Sequence, residues 1–169
     1  VRERISSKGQ VDNSRLDREQ RATHGLAWLA TYVEAVRQLA TYAERIGRLG
    51  KLSETEDLLV RIGLGEYLAQ IFGGIPMSQG EVVRLTDLGV TRAQVAARMT
   101  PAVEDLMVSC NSAERRARLI ALMCAHHAAT VGACGLDDTL ESIREEMRKF
   151  ADTEVIGNAQ KWHLTNSYI

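Results

Sequence analysis

Between Ser14 and Ile46 the residues Leu26, Leu29, Val33, Val36, Ala40 and Ala43 recur at spacings of three and four, widened into a stripe by Tyr32, Leu39 and Ile46. Arg37, Gln38, Glu44 and Arg45 take the other face. An α-helix gathers such a set on one side. At 1.5 Å per residue it would be roughly 50 Å long. A stripe of that length must be covered by other elements, and nowhere does the chain show the strict alternation of a half-buried strand between turn signals. The expected fold is therefore all-α, a bundle of about five to six helices around one long N-terminal amphipathic helix. Gly47 and Gly50 supply its stop. Gly25, inside the helix, costs about 1 kcal/mol relative to Ala and predicts either a closely packed neighbour or a kink.

Beyond Gly50, local start and stop signals divide the chain into shorter helices. Ser53-Glu54-Thr55-Glu56 reads as a capping box, opening a second helix with Leu58, Leu59, Ile62, Tyr67, Leu68, Ile71 and Phe72 on its apolar positions. Gly73-Gly74-Ile75-Pro76 ends it. Residues 77–90 read as irregular, with one helical turn from Ser78. Thr91 with Gln94 forms a second box, and Thr100-Pro101 places Pro at the first position of a helix containing Val103, Leu106 and Met107. Asn111 or Ser112 caps the next helix. Its Leu119, Ile120, Leu122, Met123 and Val131, set among Ala121, Ala125, Ala128 and Ala129, predict central burial. Asp138-Thr139-Leu140-Glu141 reads as an Asp version of the box, and Leu140, Ile143, Met147 and Phe150 give the last helix an apolar stripe. The expected organisation is a mobile polar arm over 1–13, a helical segment over 14–136 and a further helix within 137–169.

Composition removes several classes of function. The 169 residues carry 21 Lys+Arg against 22 Asp+Glu, a net charge of −1. With both signs interspersed there is no basic face for nucleic acid or an anionic membrane, and no run of about 18 apolar residues to span a bilayer. The three cysteines, Cys110, Cys124 and Cys134, make no disulfide framework and fit a reducing cytoplasm. The chain begins at Val1 and stops at Ile169 just after a helical pattern, so a piece of a longer protein is expected.

Chemistry-bearing residues are few. Cys124, His126, His127 and Cys134 are the nearest thing to a metal set, since Cys124 and His127 share a helical face. Adjacent histidines on a helix, however, point roughly 100° apart, so a buried Cys and partly buried imidazoles bonded within the bundle are the preferred reading. A Cys–His nucleophile pair lacks an orienting group and an oxyanion site. Gly63-Leu64-Gly65 is no phosphate loop, because Leu68 stands where GxGxxG needs its third glycine and no strand precedes it; close helix packing explains the glycines better. Arg115, Arg116 and Arg118, beside Glu114, lack the aromatic platforms of a single-strand binder and read as a solvated face. Trp28 and Tyr32, spaced like Glu34 and Gln38, read as core or subunit interface. His24 reads as a structural hydrogen-bonding group. No pair of carboxylates stands out for acid–base work.

Three stretches carry a resemblance to known proteins. Arg18-Glu19-Gln20-Arg21-Ala22-Thr23-His24-Gly25-Leu26-Ala27-Trp28, Ile62-Gly63-Leu64-Gly65-Glu66-Tyr67-Leu68-Ala69-Gln70 and Gly73-Gly74-Ile75-Pro76-Met77-Ser78-Gln79 resemble the N-terminal helical extension of the methylsuccinyl-CoA branch of the acyl-CoA dehydrogenase family. Residues 143–156, from Ile143-Arg144-Glu145-Glu146 to Glu154-Val155-Ile156, followed by Trp162-His163-Leu164, are similar to the opening helix of that family's catalytic region. Gly157 stands where many relatives have proline, which leaves the end of this helix less sharply fixed. The resemblance implies an FAD-dependent enzyme that dehydrogenates the Cα–Cβ bond of a short branched acyl-CoA, methylsuccinyl-CoA to mesaconyl-CoA, with a glutamate base and an electron-transferring flavoprotein as acceptor. It places the FAD, CoA and base residues beyond Ile169, so no catalytic, cofactor or metal residue is carried over and no cofactor is expected in these 169 residues. The expected partners are the remainder of the parent chain and a second copy in a homodimer. The alternative reading is a free-standing helical interaction or regulatory module, and a third is a helical metal protein centred on Cys124 and His127.

Overall fold

The computed structural model describes residues 1–127 and 132–168, which fall into two compact units, Val1–Ala133 and Cys134–Ile169. The architecture is all-α, as the sequence predicts. The first unit runs α1 (Arg2–Ile5), β1 (Ser6–Ser7), β2 (Gln10–Val11), α2 (Asn13–Arg18), α3 (Gln20–Arg48), α4 (Glu54–Gly73), β3 (Ile75–Pro76), a 3-10 turn at Ser78–Gly80, β4 (Val82–Val83), α5 (Arg92–Arg98), α6 (Pro101–Ser109) and α7 (Ala113–Ala125). The strands form two antiparallel pairs, Ser6 and Ser7 with Val11 and Gln10, and Ile75 and Pro76 with Val83 and Val82. Two residues are too few for alternation to show in a sequence.

Residues 1–13 form a helical turn and a tight hairpin whose turn residues, Lys8 and Gly9, have φ of 52° and 82°. The hairpin is tied down by Arg15, which donates to the Ser6 carbonyl at 2.7 Å, and Arg4 reaches the Asp87 carbonyl at 2.9 Å. The expected continuous helix from Ser14 is broken at Glu19, where φ −102° and ψ 20° separate α2 from α3. Asp12 caps α2 by accepting the Arg15 amide.

Within α3 the buried positions are Ala22, Gly25, Tyr32 and Ile46, whereas Leu26 and Val33 face outward at 44% and 43% exposure. The apolar stripe was wide enough for either edge to turn inward, and Gly25 decides which one does. A Cβ there would stand 2.4 Å from Val83 Cγ2, so the close neighbour is β4, and α3 continues through the glycine.

The central helix is α4, which packs on α3 and also on α6 and α7. Its capping box is present, with Ser53 and Glu56 bonding reciprocally, and it stops at Gly74 with φ 137°. Gly63 meets Leu39 of α3 and Gly65 meets the Leu106 carbonyl of α6, so the glycines serve close packing, as expected. Central burial of α7 is not found. Leu119, Leu122 and Met123 are half-buried and Ile120 is 60% exposed; Ala128, Ala129 and Val131 lie outside the described residues. With one face on α4, α7 turns the other outward, and Ala121 and Ala125, which looked like core packing, are exposed.

The main core is assembled from a segment with no periodic signal. Ile75, Met77, Val83 and Leu88 are buried with Ala22 and Tyr32, and Val1, Trp28, Leu29, Tyr67 and Ile71 pack around them. Thr91, Thr100 and Ser112 cap α5, α6 and α7 through their hydroxyls. Ser112→Ala is expected to lower the unfolding free energy by about 1 kcal/mol and Ser112→Gly by only a few tenths, a difference that urea denaturation of the two variants would check.

The second unit contains α8 (Asp138–Phe150), a π-helical stretch at Ala151–Ile156 and α9 (Gly157–Thr165), which ends at Asn166 with φ 50°. The N-cap is Asp137, accepting from the Leu140 amide at 2.8 Å, one residue before the expected Asp138. Asp137 is the last extended residue, and its side chain reaches the third amide of the helix as a cap must. The helical path continues through Gly157. Leu140, Ile143, Met147 and Phe150 form the anticipated stripe and are all exposed.

Candidate functional site

Two polar constellations in the first unit join elements distant in sequence. The larger starts on α3, where the i,i+4 spacing stacks His24, Trp28 and Tyr32. Ring centroids lie 6.2 Å apart for each neighbouring pair, and Tyr32 meets Tyr67 of α4 edge-to-face at 5.0 Å. Such geometry suits the aromatic quadrupole. Trp28 Nε1 donates to His24 Nε2 at 2.9 Å, so the imidazole has the structural role expected of it.

From the ladder a chain of bonds crosses α4. The Tyr32 hydroxyl donates to Gln70 Oε1 at 2.7 Å and Gln70 Nε2 donates to Glu66 Oε1 at 2.6 Å. Glu66 Oε2 accepts from Asn111 Nδ2 at 2.7 Å and from Arg116 at 3.1 Å, while Arg116 Nε donates to Asn111 Oδ1 at 2.6 Å. The bonds from Gln70 and Asn111, followed by the Arg116 charge, outweigh partial burial and hold the Glu66 carboxyl below the usual glutamate range. A carboxylate so fully engaged is a poor proton acceptor. This network locks α3, α4 and α7 together.

The second constellation centres on Glu56, which is 5% exposed. Its carboxylate accepts the Ser53 amide at 2.9 Å and the Ala133 amide at 2.7 Å, and it also bonds the Ser53 hydroxyl. The Tyr42 hydroxyl donates to the Ala133 carbonyl at 2.6 Å, so both backbone polar groups of Ala133 are held. Burial acts to raise the Glu56 pKa, but the bonds from Ser53 and Ala133 prevail and lower it. Sequence reasoning found Glu56 as a cap and missed its second partner, because nothing local marks a contact with residue 133.

The Cys/His set is dispersed. Cys124 is exposed on α7; His126 ends that helix with Nδ1 2.8 Å from the Leu122 carbonyl; His127 is exposed with φ 56°. Cys134 lies in the second unit, where Arg144 donates to its sulfur at 2.9 Å. The expected burial of Cys124 and the imidazoles therefore does not hold; the buried thiol is Cys110. No three His, Cys, Asp or Glu side chains converge to hold a metal among the described residues. Of the basic trio, Arg118 pairs with Glu54 and Arg116 with Glu66, so these solvated charges are matched by acids on α4. Glu34 and Gln38 bond each other at 2.7 Å.

No described helix is long and apolar enough to cross a membrane. No family model matches the chain. Over 170 aligned residues, the whole of the chain, it is 45% identical to (2S)-methylsuccinyl-CoA dehydrogenase of Cereibacter sphaeroides, and it spans 30% of that relative's length.

Proposed function

We propose that this chain, which is related to acyl-CoA dehydrogenases, is the helical N-terminal portion of an FAD-dependent enzyme that oxidises a short branched acyl-CoA across Cα–Cβ. The substrate class is that of its relative, methylsuccinyl-CoA, with mesaconyl-CoA as product and an electron-transferring flavoprotein as acceptor. The identity, sustained over the whole chain, carries this reading. Within it, residues 14–136 are the extension and 137–169 the first helix of the catalytic fold, and the role of the 169 residues is structural.

In this reading the flavin is held by the remainder of the parent enzyme. Gly63 and Gly65 are packed against Leu39 and the Leu106 carbonyl, and Arg116 and Arg118 are already paired. A role in assembly is supported by the exposed row Leu140, Ile143, Met147 and Phe150, since a continuous apolar stripe on a helix marks an association surface. The parent's own chain and a second copy in a homodimer are its expected partners.

The test compares the 169-residue chain with the product of its full reading frame. The longer protein should retain FAD and reduce an electron-acceptor dye with methylsuccinyl-CoA, while the chain alone should show neither flavin absorbance nor turnover. A full reading frame that binds no flavin, or flavin retained by the 169 residues, would overturn the reading. Light scattering of the isolated chain tests homodimerisation separately; a strictly monomeric species would count against it.

A further inference from the structure

We propose that the groove between the C-terminal end of α4, residues 84–86 and α5 binds a small amphiphilic anion, a carboxylate carried on an aliphatic or aromatic body. The groove is about 500 Å³ and is lined by Phe72 from α4, by Val95 and Ala96 from α5 and by Met99 just after it, with Arg84 and Arg92 in its walls. That volume lies in the range of small-molecule sites, roughly 300–1,000 Å³, and an apolar lining with a few convergent charges is their usual composition.

The α5 positions 92, 95 and 96 obey the i, i+3, i+4 rule, so one face of this short helix is turned to the groove. Among the described residues α5 packs closely on no other helix, and the groove its apolar face borders is open. The charges are also unmatched. Arg61, Arg116 and Arg118 each pair with a carboxylate of α4, but neither the Arg84 nor the Arg92 guanidinium has an ion pair or hydrogen bond among the described residues. The Arg84 carboxylate neighbour, Asp87, takes the Arg84 backbone amide at 2.9 Å and pairs with Arg21. Two guanidinium forks beside an apolar slot select a ligand with an anionic head and an apolar body, because a carboxylate can accept paired N–H bonds in the fork geometry. The inference stands apart from the reaction assigned above, since it uses only the local chemistry of this groove.

Titration of the 169-residue chain with sodium octanoate, 1-octanol and octylammonium, followed by methyl and amide NMR, tests it. Octanoate should shift the Val95 and Met99 methyl signals and bind about tenfold tighter than octanol, the preference a charge-assisted bond at a half-open site confers; octylammonium should bind weakest. Arg84→Gln with Arg92→Gln should erase the preference for octanoate while leaving octanol binding and the thermal transition unchanged. Ala96→Trp, which fills the slot, should remove both ligands. No binding of octanoate, equal affinity for the three probes, shifts centred away from the groove, or a preference that survives the double Gln variant would each overturn the proposal. So would an acidic amphipathic peptide occupying the groove where octanoate does not.

Discussion

Replacing Glu56 by alanine is expected to destabilise the first unit by about 3 kcal/mol. The substitution removes the acceptor for two backbone amides, those of exposed Ser53 and half-buried Ala133; a donor left unpaired away from water costs roughly 1–3 kcal/mol, a cost that falls mainly on Ala133. Loss of half of the α4 capping box adds to this. Glu56→Gln keeps one acceptor oxygen and should lose less. Urea denaturation at neutral pH measures both, and an alanine variant within a few tenths of the parent would show that Ala133 is not held in this way. The same carboxylate predicts a pH dependence. Its pKa is lowered in the folded chain, so its contribution is fully present above the unfolded value, about 4.3, and is lost as pH falls through the folded value. Glu66, also lowered, acts with the same sign. The difference in acid sensitivity between the parent and Glu56→Ala isolates Glu56, and the variant should show the flatter decline below about pH 5.

Gly65→Ala should destabilise by about 2 kcal/mol, whereas Gly63→Ala should be nearly neutral. Both changes gain up to about 1 kcal/mol of helix propensity. At Gly65 the new Cβ would stand 2.8 Å from the Leu106 carbonyl oxygen and 3.1 Å from Asn111 Cβ. Neither can swing aside: the oxygen is backbone, and the Asn111 side chain is engaged with Glu66 and Arg116. Overpacking of this kind costs roughly 1–3 kcal/mol, and separation of α4 from α6 strains the polar network as well. At Gly63 the nearest atom is Leu39 Cδ1, 3.0 Å away, at the flexible end of a side chain. Thermal unfolding of the two variants checks the contrast; equal shifts would mean that α6 yields as easily as a leucine rotamer.

These two sites show what a sequence exposes and what it conceals. The capping boxes at Ser53 and Thr91, the Thr100-Pro101 start, the Ser112 cap and the stops at Gly50 and Gly74 were all legible, because a cap is satisfied within about four residues and its chemistry is local. The close-packing role of Gly63 and Gly65 was legible too, though not which residues they meet. Glu56 was visible as a cap, but its bond to Ala133 was not, and nothing local marked the bonds of Glu66 beyond α4, since Asn111 lies in the turn after α6 and Arg116 on α7.

The amino-acid sequence by itself determined that the chain is helical, where most of its helices begin and end, and which proteins it resembles. Only the tertiary structure decided which edge of the α3 stripe turns inward, that α4 and not α7 is the central helix, and that the unpatterned stretch from Ile75 to Leu88 fills the core beside Ala22 and Tyr32. Helix formation and capping are governed by neighbours in sequence, whereas burial is settled by which surfaces can approach most closely. Here the approach was fixed by the missing side chains at Gly25 and Gly65, against Val83 and the Leu106 carbonyl, contacts that no local pattern encodes.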